Sequence, residues 1–238
     1  MVYAVLFILE AVFTCLFIRA GYPEATKKGF AFKMVASSVF VINGVYSALP
    51  FGSRFPVLIV TALALGLAGD VFLTFDPFIK DKNDKKKSVF FILLGGAFFL
   101  AGHIVYMVAI AGEIKAKSAF SPLVFVFGLI LGIAGIFALI LFSRVKPGKA
   151  IIPIGIYAAA ISAMFALGLC LALGAYAGSP AAKIILIAAP LLFIISDSSL
   201  LLEFFDKERF NNMTVRSINL GTYFLAQMLF GFAAKFVG

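Results

Sequence analysis

The sequence has no tryptophan, one histidine (His103) and two cysteines (Cys15 and Cys170). One histidine and no cysteine cluster cannot assemble the usual zinc site, which takes several nitrogen, sulfur or carboxylate ligands. The two thiols lie within apolar segments, where they read as small buried hydrophobes rather than a disulfide framework. Charge is also scarce. Only 13% of the residues are Asp, Glu, Lys or Arg, against about 25% in a soluble domain. The G-x-S-x-G elbow that presents a hydrolase serine is absent, which argues against that class. No glycine-rich phosphate loop precedes a Lys and Ser or Thr. Without tryptophan, any aromatic belt at a membrane interface must rest on tyrosine and the 29 phenylalanines.

What the chain does contain is apolar sequence, 63% of its 238 residues. A water-soluble fold cannot cover that much apolar surface, so lipid must solvate much of it. Eight stretches approach the roughly 20 residues needed to cross the hydrocarbon core. They run over about 2–19, 31–49, 56–75, 88–112, 120–143, 150–173, 181–204 and 214–236. They are too long for barrel strands and lack alternation of period two. Helices are the remaining spanning structure that satisfies every backbone group in lipid. The sequence therefore predicts an all-α, polytopic membrane bundle of eight transmembrane helices. Prolines and glycines punctuate the connections, among them Gly21 with Pro23, Pro50 with Gly52, Pro77, and Pro147 with Gly148. None of these connections can hold a second domain, so residues 1–238 are read as a single integral membrane domain. The first stretch contains Glu10 and no preceding basic residue, which reads as a retained helix rather than a cleavable signal.

The net charge of +9 follows topology and does not point to nucleic acid. Thirteen Lys and Arg fall in the first, third, fifth and seventh connections, and five on the other side. By the excess of positive charge in cytoplasmic loops, both termini are expected on the non-cytoplasmic side. The location expected is multi-pass in a membrane, the inner membrane if the source is bacterial. In the third connection Asp81, Asn83 and Asp84 sit among lysines, but no glycine turn and no closing glutamate make a calcium loop. It reads as a solvated inside loop.

Ionisable residues at membrane depth are costly, and each is a candidate for function. Asp70 lies late in the third stretch and Asp197 late in the seventh. The predicted topology puts them at similar depth, a few residues short of the cytoplasmic end. Each could instead serve only as a hydrogen-bond acceptor for Lys or Arg. Arg216, Asn219, Tyr223 and Gln227 recur at offsets of three, four and four, which places them on one helix face looking into the bundle. Lys33 and Ser37 form an i, i+4 pair near the same end, and Tyr157 lies about two turns in from it. His103 falls mid-stretch, about 10 Å further outward at 1.5 Å of rise per residue and so poorly placed to reach Asp70; it reads either as a proton shuttle or as a packed brace.

Four segments occur in order: Gly69-Asp70-Val71-Phe72-Leu73, Phe99-Leu100-Ala101-Gly102-His103-Ile104-Val105-Tyr106, Phe193-Ile194-Ile195-Ser196-Asp197-Ser198 and Thr222-Tyr223-Phe224-Leu225-Ala226-Gln227. Together with Lys33 and the helix pattern, they resemble the YhhN family of membrane proteins, which includes the eukaryotic lysoplasmalogenases. The resemblance covers most of the chain, apart from the first helix and the lysine-rich third loop. It implies hydrolysis of the alkenyl ether bond of a lysoplasmalogen, giving a fatty aldehyde and glycerophosphoethanolamine or glycerophosphocholine.

Vinyl ethers hydrolyse by acid catalysis, which needs one protonated carboxyl and a nearby anion. A carboxyl pair in an apolar bundle can supply both, so Asp70 and Asp197 are the expected catalytic pair and no metal or other cofactor is called for. Ser196 and Ser198 flank Asp197 and favour it as the acid, with the reverse assignment left open. Lys33 and Arg216 suit a lipid phosphate. Tyr157, Ser196, Asn219, Tyr223, Gln227 and His103 are the supporting residues. The expected partners are a lysophospholipid substrate and membrane lipid. The alternatives are a proton-coupled transporter or lipid-binding protein, and an intramembrane aspartyl protease. The last is disfavoured because Leu67-Ala68-Gly69-Asp70 lacks the first glycine of Gly-x-Gly-Asp.

Overall fold

The computed structural model describes residues 1–22, 26–75, 85–146, 148 and 151–237. The third-loop residues Pro77, Lys80, Asp81, Lys82, Asn83 and Asp84, together with Pro23, Pro147 and Lys149, lie outside the described residues. Among those described, the structure is all-helical: α1 Val2–Ala20, α2 Lys27–Ala48, α3 Arg54–Phe75, α4 Lys85–Ala116, α5 Pro122–Ser143, α6 Ile151–Gly174, α7 Pro180–Phe205, α8 Lys207–Phe210 and α9 Met213–Phe236. Three of the long helices, α2, α5 and α9, begin where a side chain takes up an orphan N–H group. Thr26 Oγ1 accepts from the Gly29 amide at 2.9 Å, and Asn212 Oδ1 from the Val215 amide at 3.0 Å. Pro122 and Pro180 open α5 and α7, where the missing N–H does no harm.

Among the described residues seven helices, α1 to α7, are long and apolar enough to cross a membrane. This differs from the eight predicted. The last helix, α9, has 24 residues, which is long enough, but it is not apolar enough to join the other seven. The reason is its inward face: Asn219, Tyr223 and Gln227 are buried, and their polarity offsets the apolar remainder. Two independent features thus place α9 at the centre of the bundle. It packs on α7, α2, α3 and α1, and its buried residues include both polar and apolar types. By contrast α5 packs chiefly on α6 and α7 and presents Leu123 and Phe142 outward at 81% and 88% exposure, as a lipid-facing helix must.

One close backbone approach joins α6 and α7. Pro190 lies inside α7 and carries no N–H, so the Leu186 carbonyl one turn earlier loses its helical donor. Gly168 of α6 packs against that oxygen, and a Cβ there would run into it. Small residues allow such approaches between membrane helices. Gly168→Ala is therefore expected to lower stability by about 1–3 kcal/mol through overpacking, read as a lower Tm of the detergent-purified protein.

At the α7–α8 junction, Asp206 caps α8 through the Arg209 amide at 3.1 Å and binds the Arg209 Nε at 2.6 Å. The Arg209 guanidinium holds the half-buried Asp206 carboxyl below the usual carboxylate range. It also donates to the Ser143 carbonyl at 2.8 Å, tying the end of α5 to this junction.

Candidate active site

Asp70 belongs to α3, but its partners come from two other helices. One turn of α2 brings Lys33 and Ser37 to the same face, four residues apart. Lys33 Nζ lies 3.0 Å from Asp70 Oδ1, and the Ser37 hydroxyl donates to Oδ2 at 2.6 Å. From α9 the Tyr223 hydroxyl donates to the same Oδ2 at 2.8 Å. Asp70 is 1% exposed and Lys33 7%. All three neighbours donate, so the carboxyl acts as an acceptor with a cation beside it. Beyond it the chain of bonds continues. Gln227 Nε2 donates to the Tyr223 hydroxyl at 3.1 Å, and the Tyr106 hydroxyl donates to Gln227 Oε1 at 2.8 Å. Gly66 of α3 leaves the space that Gln227 fills. Every donor in this run points toward Asp70, so the bonds polarise one another in one direction. Tyr106→Phe leaves Gln227 Oε1 buried without its donor. The expected loss is about 1–3 kcal/mol, seen as a lower Tm.

Asp197 has a different environment. The residue is half-buried, yet its Oδ2 is shut off from solvent and has no hydrogen-bond partner. The neighbouring hydroxyl is Tyr157 of α6, which interacts with this carboxyl and also lies 3.5 Å from His103 Nδ1. His103 is 3% exposed, and its Nε2 has no partner among the described residues. His103 thus joins the Asp197 side of the site through Tyr157, and no hydrogen bond connects it with Asp70.

Aromatic rings separate the two carboxyl centres. Phe193, one turn before Asp197, packs edge-on against His103 at 4.8 Å between ring centroids and against Tyr223 at 6.0 Å. Phe99, one turn before His103, lies 5.7 Å from Tyr223 and against Gly69. Phe193 therefore touches a member of each carboxyl's network.

Ser196 does not orient Asp197 by a hydrogen bond; its hydroxyl donates to Asn219 Oδ1 at 3.1 Å. Asn219 and Arg216 also interact with Glu203 at the end of α7. Arg216 is half-buried. Its guanidinium lies 5.3 Å above the Phe17 ring, and its Nε has no partner. Lys33 reaches the same ring at 5.6 Å. The structure therefore unites Lys33, Asp70, Tyr223 and Gln227 in one network, Asp197, Tyr157 and His103 in a second, and Ser196, Asn219 and Arg216 in a third. Tyr106 and Phe193 were not singled out by the sequence. Tyr106 sits three residues after His103, and that spacing alone puts it on the same face. Among the described residues no three His, Cys, Asp or Glu side chains converge to hold a metal ion.

Apolar helices with an ion pair and a carboxyl with one unpartnered oxygen in their interior define an integral, multi-pass membrane protein with an internal polar site. The chain belongs to the YhhN family, whose model matches residues 29–234, from the start of α2 to the last turns of α9. The first helix, α1, lies outside the match. No curated protein and no solved structure matches the chain.

Proposed function

We propose that the protein is an intramembrane hydrolase of the vinyl ether bond of lysoplasmalogens, with α9 as its eighth span and the site toward the cytoplasmic face. The observation that carries this reading is the contrast between the two carboxyls. Asp70 is held by three donors, one of them the Lys33 cation, whereas Asp197 Oδ2 is buried with no hydrogen bond, as suits a carboxyl that keeps its proton in an apolar bundle. In the reaction Asp197 gives that proton to the β-carbon of the vinyl ether. The π electrons form the new C–H bond, and the adjacent carbon and oxygen share the positive charge. The carboxylate left on Asp197 faces this cation and takes a proton from the water that adds to it. The resulting hemiacetal collapses, its hydroxyl proton passing to the glycerol oxygen as the C–O bond breaks. The net change consumes one water and yields the fatty aldehyde and the glycerol alcohol.

The other residues take supporting parts. Lys33 and Asp70 together are electrically neutral, so this pair serves to fix Tyr223 and Ser37 rather than to attract the cation. With the Lys33 ammonium committed to Asp70, the substrate phosphate falls to Arg216, whose planar fork suits it. Tyr157 and His103 orient Asp197, and Asn219, held by Ser196, positions the glycerol. Arg216→Gln should raise KM about ten- to hundredfold, the worth of a charged hydrogen bond of about 1.5–3 kcal/mol, with kcat little changed. The reading is tested by assaying purified protein in detergent with lysoplasmalogen and coupling aldehyde release to alcohol dehydrogenase. Proton-dependent uptake of lipid into liposomes with no aldehyde formed would point to a transporter instead.

A further inference from the structure

Two grooves run along α1, a helix outside the family match. The first, of about 580 Å³, lies between α1 and α9 and reaches from Arg19 to Phe7. It exists because α1 packs chiefly on α2 and only lightly on α9. The second, of about 300 Å³, is a furrow on the outer face of α1 from Arg19 to Ala11, beside the exposed Val12 and Leu16. Ala11, Cys15 and Arg19 line both grooves. Their spacing of four residues makes them one row along the helix, so two small side chains form a low ridge between the grooves and a cation closes it. Both grooves therefore end at Arg19. By helical rise they span about 18 Å and about 12 Å, the scale of one leaflet's hydrocarbon, about half of 30 Å. Glu10 and Thr14 also line the first groove, but at 4% and 7% exposure they are closed off and take no part.

The end of α1 is also where positive charge collects. The Thr26 hydroxyl donates to the Ala20 carbonyl at 2.6 Å, which folds the start of α2 back beside Arg19. Lys27 and Lys28 open α2 there, and all three cations are exposed. Among the described residues none of the three has an ion pair. From Arg19 to Lys28 the sequence sets three basic residues against one acidic residue, Glu24. Basic residues at a membrane surface attract anionic lipid.

We propose that the two grooves seat the two acyl chains of one anionic bilayer phospholipid, with its phosphate at Arg19 and its remaining negative charge met by Lys27 and Lys28. Two apolar grooves that meet at one cation match two chains that meet at one phosphate. A single-chain lipid would leave one groove unfilled, and a zwitterionic headgroup would leave the surplus of positive charge unmet. The bound lipid fills the gap between α1 and α9. It is a component of the bilayer and is distinct from the substrate of the proposed hydrolysis.

The absence of tryptophan supplies the test. Phe7→Trp places a single tryptophan in the first groove and Leu16→Trp one in the second, both at exposed positions. In nanodiscs of dioleoylphosphatidylcholine, chain-brominated phosphatidylglycerol should quench either tryptophan saturably, with the same half-saturating mole fraction. That fraction should be about tenfold below the one for chain-brominated phosphatidylcholine. Arg19→Gln should raise it about fivefold in both reporter proteins, and Lys115→Gln, in the last turn of α4, should leave it unchanged. Gly221 lines the first groove from α9, and a Cβ added there meets nothing within 4 Å. Gly221→Phe should therefore fill that groove and weaken quenching in the Leu16→Trp protein as well, because one molecule spans both grooves. Gly221→Leu makes the same test with a smaller side chain, and Tm is read on each preparation. Equal half-saturation for the two phospholipids, or no change in Arg19→Gln, would overturn the anionic headgroup at Arg19. Quenching in the Leu16→Trp protein that survives both Gly221 variants, or brominated lysophosphatidylglycerol that binds as tightly as the two-chain lipid, would overturn the two-chain seat. Quenching that rises in proportion to mole fraction without saturating would reduce both grooves to ordinary bilayer contact. None of these probes contains a vinyl ether, so binding is read without turnover and stands or falls apart from the hydrolase reading.

Discussion

Asp197→Asn is expected to reduce aldehyde release from lysoplasmalogen by about a thousandfold, within the range of about 10²–10⁴ that a positioned acid or base contributes. Asparagine keeps the size and the hydrogen-bonding shape of the side chain but cannot donate a proton to carbon. The loss should fall on kcat, because in the proposed reaction Asp197 acts on the bond that reacts, while Arg216 carries the phosphate. Stability should change little or rise, since Asp197 Oδ2 makes no hydrogen bond that asparagine would lose. The readouts are kcat and KM from the coupled assay and Tm on the same preparation. A variant that keeps full kcat would remove Asp197 from the chemistry. Tyr157→Phe should give a smaller loss, because the role proposed for the tyrosine is only to orient the carboxyl.

The second large effect is structural. Lys33→Ala strips the buried Asp70 of its cation, and Asp70→Ala strips Lys33 of its anion. Breaking a buried ion pair from one side costs about 3–5 kcal/mol, because a charge is left without compensation. Both single variants should therefore unfold at clearly lower temperature in detergent, or fail to accumulate. The double variant Lys33→Met with Asp70→Leu removes both charges and should recover much of that loss, since a well-packed apolar pair is often no less stable. It should not recover activity, because Tyr223 loses its acceptor and the wall of the site loses its anchor. If the double variant were as unstable as the sum of the singles, the two residues would not be acting as a pair. A double variant that is stable and fully active would show the network to be dispensable for function.

Much of this site could be read from the sequence, for reasons that differ from residue to residue. The stripe Asn219, Tyr223 and Gln227 was legible because helical spacing alone fixes a face, and all three are buried. The pairing of Lys33 with Ser37 was legible by the same rule, but their common target was not. That Asp70 Oδ1 faces Lys33 while Oδ2 takes both hydroxyls depends on how α2, α3 and α9 cross, which no single-helix pattern contains. Ser196 shows the opposite failure. Adjacency to Asp197 suggested that it would orient the acid, yet neighbours in a helix point about 100° apart, and the hydroxyl turns to Asn219. The separation of His103 from Asp70 followed from rise per residue, whereas its link to Asp197 through Tyr157 required the packing of α4 on α6. Cys15 was expected to be buried and is exposed on the wall of the α1–α9 groove. Apolar surroundings in sequence do not distinguish a face turned to lipid from one turned inward. The count of spans was affected by the same ambiguity, since α9 has too little hydropathy because its polar face is the interior of the site.

The central claim is that a carboxylic acid protonates carbon in a vinyl ether. The most direct measurement is turnover of lysoplasmalogen in D₂O, with alcohol dehydrogenase trapping the aldehyde as it forms and mass spectrometry reading the alcohol. Protonation of the β-carbon predicts one deuterium on the carbon next to the former carbonyl, and no product from the saturated alkyl-ether analogue, which has no double bond to protonate. An alcohol without deuterium at that carbon, or release of product from the saturated ether at a similar rate, would contradict it.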